Sequence, residues 1–145
     1  MTERHFNKLR NMYLQANINT MIFDTTTCEI SLKRSEISLN ITEKYFHALG
    51  AIHGSVYFKL LDDAAFFAAS SVVEDVFVLT TSFAINITKP VSKGNIKAIG
   101  NIRFDSKNLI VAESTLYNDK GKEIAFGTGN FSKSKIFLKN TEGYV

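Results

Sequence analysis

The sequence of 145 residues predicts an α+β domain in which an antiparallel sheet wraps around one buried helix. Two observations support this prediction. Residues 54–71 are apolar on nearly every side, and a helix that is hydrophobic all round is a buried one. From residue 76 onward, segments with strand-like alternation are separated by turn signals, which is typical of antiparallel strands joined by hairpins. We predict one domain spanning residues 1–145.

The N-terminal part of the chain predicts a second helix and then a β segment. Charged and polar residues separate apolar ones that recur at helical spacing, namely Phe6, Leu9, Tyr13 and Ala16. Residues 2–17 are therefore expected to form an amphipathic helix that packs on the body of the domain. Residues 28–41, CEISLKRSEISLNI, alternate with period two. They predict either a hairpin or one strand with a kink near residues 33–35.

The central helix and the strands after it have clear boundaries. A glycine, Gly50, ends the connection that precedes the helix, and residues 54–71 are rich in the good helix formers Ala and Leu. The helix is expected to end where the β-branched Val72 and Val73 begin. Pro90 and the turn sequences DSKN and NDKGK then divide the remaining chain into strands.

Composition and charge exclude several classes of protein. An apolar fraction of 45% with 21% charged residues is typical of a globular chain. The first ten residues carry charges and lack an apolar signal core, and three charges lie in the middle of the long apolar stretch, so neither a secretory signal nor a membrane span is predicted. The net charge of +3 comes without a nucleic-acid motif. Because Cys28 is the single cysteine, there is no intrachain disulfide or Cys-rich metal site. We expect a cytoplasmic protein that binds neither nucleic acid nor metal.

Polar residues within the apolar stretch point to a functional site. His53 and Gly54 lie at the start of the central helix, where free N–H groups and the helix dipole favour an anion or a polarised carbonyl oxygen. Asp62 and Asp63 lie in the middle of this helix, and buried carboxylates are costly unless they are paired or used. Asp62 is about two helical turns from Gly54, too far for one small site. A symmetric dimer with antiparallel helices would bring Gly54 of one chain to Asp62 of the other.

These residues resemble the signature of a known family. The sequence HGSVYFKLLDDAAFFAA, residues 53–69, is similar to that of the hot-dog-fold acyl-CoA thioesterases, in particular the PaaI-like group of the phenylacetate-pathway and 4-hydroxybenzoyl-CoA thioesterase type. That signature has H-G-G before an apolar helix and an acidic residue nine positions after the histidine, which is Asp62 here. The segments TTSFAINITKPVSKGNIKAIGNI and NDKGKEIAFGTGNF fall in the same order as in the family, so the resemblance covers roughly residues 25–135.

The resemblance implies a hot-dog fold, a homodimer formed through the sheet or a dimer of dimers, and active sites at the dimer interface. It also implies hydrolysis of an acyl-CoA thioester, with no cofactor beyond the coenzyme A of the substrate. Asp62 would activate water as general base or act as nucleophile, and the N–H of Gly54 would hold the thioester oxygen. His53 would mainly shape the turn. Ser82, with Thr81 as its alternative, would orient the water from across the dimer.

The sequence also departs from the family pattern. Ser55 replaces the second glycine of the motif, and His47 stands where many members have Asn or Gln as a second donor to the oxygen. A neutral imidazole can donate one such hydrogen bond. Asp63 is expected to pair with Lys59 or to contact the other chain. Two alternatives stay open, a hot-dog domain that binds acyl-CoA or only dimerises without turnover, and a hydratase or dehydratase on the same fold.

Overall fold

The structure, a computed structural model, describes residues 3–145 and confirms the predicted fold class. Within these residues, an antiparallel sheet of six strands wraps around a long helix, in the hot-dog arrangement. The helices are α1 (Glu3–Gln15), α2 (Asn17–Met21) and α3 (Gly54–Ser70). The strands are β1 (Thr27–Ser31), β2 (Arg34–Asn40), β3 (Val76–Ile87), β4 (Asn95–Asp105), β5 (Ile110–Tyr117) and β6 (Glu123–Phe137). Their order across the sheet is β1-β2-β4-β5-β6-β3.

The N-terminal helix is shorter than the sequence predicts. The helical pattern extends to residue 17, but Ala16 has extended backbone angles, φ −61° and ψ 138°, and separates α1 from α2. Asn19 of α2 then donates a hydrogen bond to the carbonyl oxygen of Tyr13 at 2.7 Å, which folds the second helix back on the end of the first. Thr2 of the predicted helix lies outside the described residues.

Residues 28–41 form the hairpin, which is the first of the two arrangements left open by the sequence. β1 and β2 are joined by a turn at Leu32 and Lys33, and Lys33, the second of these two residues, has a left-handed backbone with φ 63°. Arg10 of α1 donates from Nε to the carbonyl oxygen of Cys28 at 2.9 Å, so α1 lies against this end of the sheet.

A row of small residues lets α3 lie close to the sheet. Ser35, Gly100 and Ser114 are neighbours in register across β2, β4 and β5. A Cβ added at Gly100 would overlap the backbone carbonyl of Ala64 in α3. The flanking hydroxyls donate to the helix, Ser35 to the carbonyl oxygen of Ala64 at 2.6 Å and Ser114 to that of Leu61 at 2.7 Å. These contacts fix both the height and the rotation of α3 above the sheet.

The rotation of α3 directs its two aspartates away from the sheet. Leu61 and Ala64 face the sheet and are fully buried. Successive helical residues are turned by about 100°, so Asp62 and Asp63 lie on the other side of the helix and diverge from each other. Asp62 points toward β3, where Thr80 contacts it, and Asp63 points toward α1, where Tyr13 contacts it.

β3 forms one edge of the sheet and is its most exposed long strand. It pairs with β6 alone, and a bulge interrupts the register between Thr80 and Ser82. The apolar side chains of Leu79 and Ile87 are 46% and 48% exposed. A strand of twelve residues with a free edge is a template for pairing with another strand.

Candidate active site

The start of α3 is shaped by His53. Its Nδ1 accepts a hydrogen bond from the backbone N–H of Ser55 at 3.0 Å and lies 2.8 Å from the Ser55 hydroxyl oxygen. His53 is therefore the N-cap of α3, with extended backbone angles of φ −63° and ψ 146°. This geometry agrees with the turn-shaping role that the sequence resemblance implies, and it engages the Ser55 hydroxyl with the cap.

A cavity of about 260 Å³ lies beside this helix start. Gly54, His47 and Tyr57 line it together with the end of β3 and residues 88–90. The Nδ1 atom of His47 accepts from the backbone N–H of Leu49 at 3.0 Å, so the proton of the neutral ring is on Nε2, which is a donor. Two of the predicted oxygen donors, Gly54 and His47, are thus brought to the same cavity.

A larger cavity of about 720 Å³ lies over the outer face of α3. One wall is formed by residues 12–23 of the N-terminal segment and the opposite wall by residues 77–80 of β3. Aromatic rings dominate the surface between them, and most of these come from α3 and from the start of β3: Phe58, Phe66, Phe67 and Phe77. Asp62 lines this cavity, so the structure places a carboxylate beside an apolar space.

Asp62 is held by one hydrogen bond and perturbed by burial. The hydroxyl of Thr80 donates to its Oδ1 atom at 2.9 Å. The pKa of Asp62 is raised to about 6, mainly by burial and to a lesser extent by the neighbouring charge of Asp63, while the Thr80 hydrogen bond and Lys59 oppose the rise. A carboxylate with a pKa near 6 is mostly ionised at neutral pH and is still a stronger base than an ordinary aspartate.

Asp63 is engaged in a separate polar cluster, and its predicted pairing with Lys59 is confirmed. Lys59 Nζ lies 2.6 Å from Asp63 Oδ2 in side chains that are only 11% and 20% exposed. The same ammonium donates to the Tyr13 hydroxyl at 3.1 Å and to Asn19 Oδ1 at 2.8 Å, so its three protons each have an acceptor. Tyr13 donates to Asp63 at 2.6 Å, and burial raises the pKa of its phenol well above the usual range. This cluster joins α3 to the N-terminal helices.

Within one chain, the predicted site residues fall into two groups. Gly54 and His47 line the smaller cavity and Asp62 the larger one, with no lining residue in common. Ser82 lines neither of these cavities, and its hydroxyl accepts from the Asn130 side-chain amide at 2.8 Å.

Thr80 is the contact of Asp62 that sequence reasoning missed. The bulge places Thr81 outside the ladder, so Thr80 opposite the buried Phe131 faces the helix, while Ser82 opposite Asn130 faces away from it. Strict alternation from Val78 would have identified Thr80 as inward-facing. The bulge itself has no sequence signal in this strand.

The described residues contain neither a cluster of metal ligands nor a helix that could span a membrane. In residues 3–145, no three His, Cys, Asp or Glu side chains gather closely enough to hold a metal ion. The only cysteine, Cys28, is buried, and burial raises the pKa of its thiol to about 12. No helix in the same residues has the length and hydropathy needed to span a membrane.

The sequence profile of the thioesterase superfamily matches residues 49–125, which include α3 and the strand pairs that follow it. This match covers more than half of the chain. A search of curated proteins finds no significant match to the sequence.

Several solved structures share the fold. The PaaI protein of the phenylacetic acid degradation operon of E. coli is 15% identical, with a TM-score of 0.81 over 92% of this chain and 96% of that one. A thioesterase family protein from Silicibacter pomeroyi is 23% identical, with a TM-score of 0.78 over 87% and 95% of the two chains. A protein of Streptococcus mutans bound to acetyl-CoA is 18% identical, with a TM-score of 0.71 over 78% and 91%. At these identities the likeness establishes the fold.

Proposed function

The chain belongs to the thioesterase superfamily, and from this premise we propose that it hydrolyses an acyl-CoA thioester to a carboxylic acid and free coenzyme A. The observation that carries the proposal is Asp62, a part-buried carboxylate with a pKa of about 6 beside an apolar cavity. Such a group suits a general base that works near neutral pH. The acetyl-CoA bound to the S. mutans protein of the same fold supports coenzyme A as the leaving group.

In the proposed reaction, the carboxylate of Asp62 removes a proton from a water molecule as the water oxygen attacks the thioester carbonyl carbon. The carbonyl oxygen gains negative charge, which the N–H of Gly54 and Nε2–H of His47 stabilise by hydrogen bonds. Collapse of this intermediate breaks the C–S bond, and the thiolate of coenzyme A leaves and takes up a proton. A hydrogen-bond donor to such an oxygen contributes about 10²–10³ in rate.

We propose that the active unit is a homodimer with sites at its interface. In one chain Gly54 and Asp62 line different cavities, so a second chain is needed to place both groups around one carbonyl. The exposed edge of β3 carries Thr80 and provides a surface through which two sheets can pair. A dimer of dimers would use a second surface, because the β3 edge is already paired within the dimer.

The first test compares the wild type with Asp62→Asn in an assay of free thiol release from acyl-CoAs. We expect the substitution to lower kcat by about 10²–10⁴, because asparagine keeps the shape of the side chain but cannot accept the proton. Asp105→Asn, which neutralises an exposed carboxylate at the end of β4, is the matched control and should retain wild-type turnover.

Three results would contradict the proposal. Full activity of Asp62→Asn would show that Asp62 is not the general base. Saturable acyl-CoA binding without thiol release by the wild type would support the alternative of a domain that binds acyl-CoA without turnover. Consumption of an unsaturated acyl-CoA without free thiol would instead indicate a hydratase.

A further inference from the structure

The larger cavity has a wall that the matched family segment does not supply. Residues 12–23 of α1, α2 and the following loop form this wall, whereas the thioesterase profile matches residues 49–125. The opposite wall is β3, and α3 forms the floor between them. Asp62 is on the β3 side of the floor, where Thr80 holds it, and Ala16 and Ile18 belong to the opposite wall.

The size of the cavity favours an occupant larger than an acetyl group. A water-sized group occupies about 30 Å³ in a liquid, so a cavity of about 720 Å³ has room for roughly twenty such groups. An acetyl group has three heavy atoms and would leave most of the apolar surface without a partner. An apolar acyl group of about eight to twelve carbons would contact both walls and bury that surface.

The charges that line the cavity indicate whether the acyl group can itself carry a charge. Lys59 is the cation on its floor, and its three protons are accepted by Asp63, Tyr13 and Asn19. Asp63 balances the charge of Lys59 at 2.6 Å. No cation among the lining residues is left to pair with a carboxylate on the substrate, so an acyl group that ends in a charge would be buried without a partner, which is costly.

We propose that residues 12–23 form the distal wall of an acyl pocket, and that Ala16 and Ile18 of this wall limit the length of an uncharged, apolar acyl group. This inference rests on the proposed thioesterase function and specifies its substrate class. Ala16 is the smallest side chain in the N-terminal wall and sits at the break between the two helices. A larger side chain there would project into the space that the end of the acyl group occupies.

The test measures kcat/KM for straight-chain acyl-CoAs from acetyl to hexadecanoyl in the wild type, Ala16→Phe and Thr20→Phe. The wild type should prefer acyl groups of about eight to twelve carbons over acetyl by at least tenfold, and decanoyl-CoA over decanedioyl-CoA by at least tenfold. Ala16→Phe should lower kcat/KM for decanoyl-CoA at least tenfold and change that for butyryl-CoA less than twofold. Thr20→Phe adds the same ring at an exposed position of α2 that does not line the cavity, and its profile should match the wild type.

An equal loss for all acyl lengths in Ala16→Phe, or an unchanged profile, would overturn the inference. If Ala16→Phe does not fold, Ile18→Trp adds bulk at a half-exposed position of the same wall and should give the same shortened profile.

Calorimetric titration with decanoate separates this inference from the proposed function. If the wild type releases no thiol but binds decanoate, and Ala16→Phe binds it at least tenfold more weakly, the pocket stands and the thioesterase function fails. Absence of decanoate binding together with absence of turnover would reject both.

Discussion

At the scale of single residues, Asp62 is the group on which opposing influences act most clearly. Partial removal from water raises its pKa, and the hydroxyl of Thr80 lowers it by stabilising the charged form. The resulting pKa of about 6 is above the ordinary aspartate value of about 4. Both the rate of the proposed reaction and the stability of the fold should therefore change with pH in this range.

The Thr80 hydrogen bond gives a prediction for the pH profile of activity. A general base works in its ionised form, so kcat/KM should rise with pH through a midpoint near 6 and level off above it. Thr80→Val removes the donor that favours the ionised form, and we expect the midpoint to move up by about one pH unit. Thr80→Ser keeps a hydroxyl and should restore the wild-type midpoint. Identical midpoints in the three proteins would mean that Thr80 does not act on the base.

The raised pKa also predicts that Asp62 reduces stability at neutral pH. Between about pH 4 and 6 the folded chain binds more protons at Asp62 than the unfolded chain does, so the contribution of this group to stability falls as pH rises through this range. Asp62→Asn should raise the free energy of unfolding at pH 8 by about 1–2 kcal/mol, after allowance for the partial exposure of the side chain. Urea unfolding at pH 4, 6 and 8 and at one protein concentration measures the difference, which should vanish near pH 4. A constant difference across the three pH values would contradict this account.

The sequence distinguished the two aspartates because helical geometry is regular. Lys59 lies four positions before Asp63, a spacing at which side chains meet, and the two form the ion pair. Ser82 of β3 could not be assigned in the same way, because the bulge at Thr81 reverses which side chains beyond Thr80 face the helix. Alternation along a strand is informative only until the register shifts.

At the scale of elements, the close packing of α3 on β4 depends on Gly100. The missing side chain leaves room for the backbone carbonyl of Ala64, and the hydroxyls of Ser35 and Ser114 bind helix carbonyl oxygens on either side. The helix therefore rests on the sheet through backbone atoms and short side chains.

Substitution of Gly100 tests this arrangement. Gly100→Ala would place a methyl group into the Ala64 carbonyl, and because backbone cannot move as a flexible side chain does, we expect a loss of about 1–3 kcal/mol in the free energy of unfolding. Asn101→Ala, at the exposed neighbouring position of β4, should change stability by less than about 0.5 kcal/mol. Chemical denaturation of the two variants beside the wild type measures both effects. A Gly100→Ala protein as stable as the wild type would show that α3 has room to move.

The elements themselves differ in how well the sequence specified them. The start of α3 at Gly54 was predicted because Gly50 ends the preceding connection and a stretch rich in Ala and Leu follows, and the helix ends at Ser70, one residue before the predicted end. The break at Ala16 was not predicted, since alanine is a strong helix former and its extended conformation follows from the fold of α2 against Tyr13. Tertiary contact overrides local propensity at this position.

At the scale of the whole molecule, the exposed edge of β3 bears on assembly. A dimer formed through β3 should have twice the chain mass of 16.2 kDa in light scattering. Ala84→Lys places a charge at an exposed position in the middle of this strand, and two such charges would meet across a symmetric interface. We expect this variant to be more monomeric than the wild type. Its rate of thiol release should fall in proportion to the fraction of dimer that is lost. Asn101→Lys, at an exposed position of β4 within the sheet, is the control and should leave the mass unchanged. A fully active monomer of Ala84→Lys would contradict the need for two chains.

The row of small residues beneath α3 also acts as a spacer for the cavity on the other side of the helix. Ser35, Gly100 and Ser114 hold one face of α3 at a set height, and the opposite face is the floor of the larger cavity. Larger side chains in the row would push α3 away from the sheet, and the floor of the cavity would move toward the acyl group. Substrate preference can therefore drift in evolution through changes in buried residues that never touch the substrate. Comparisons of related chains by their cavity-lining residues alone would overlook this route.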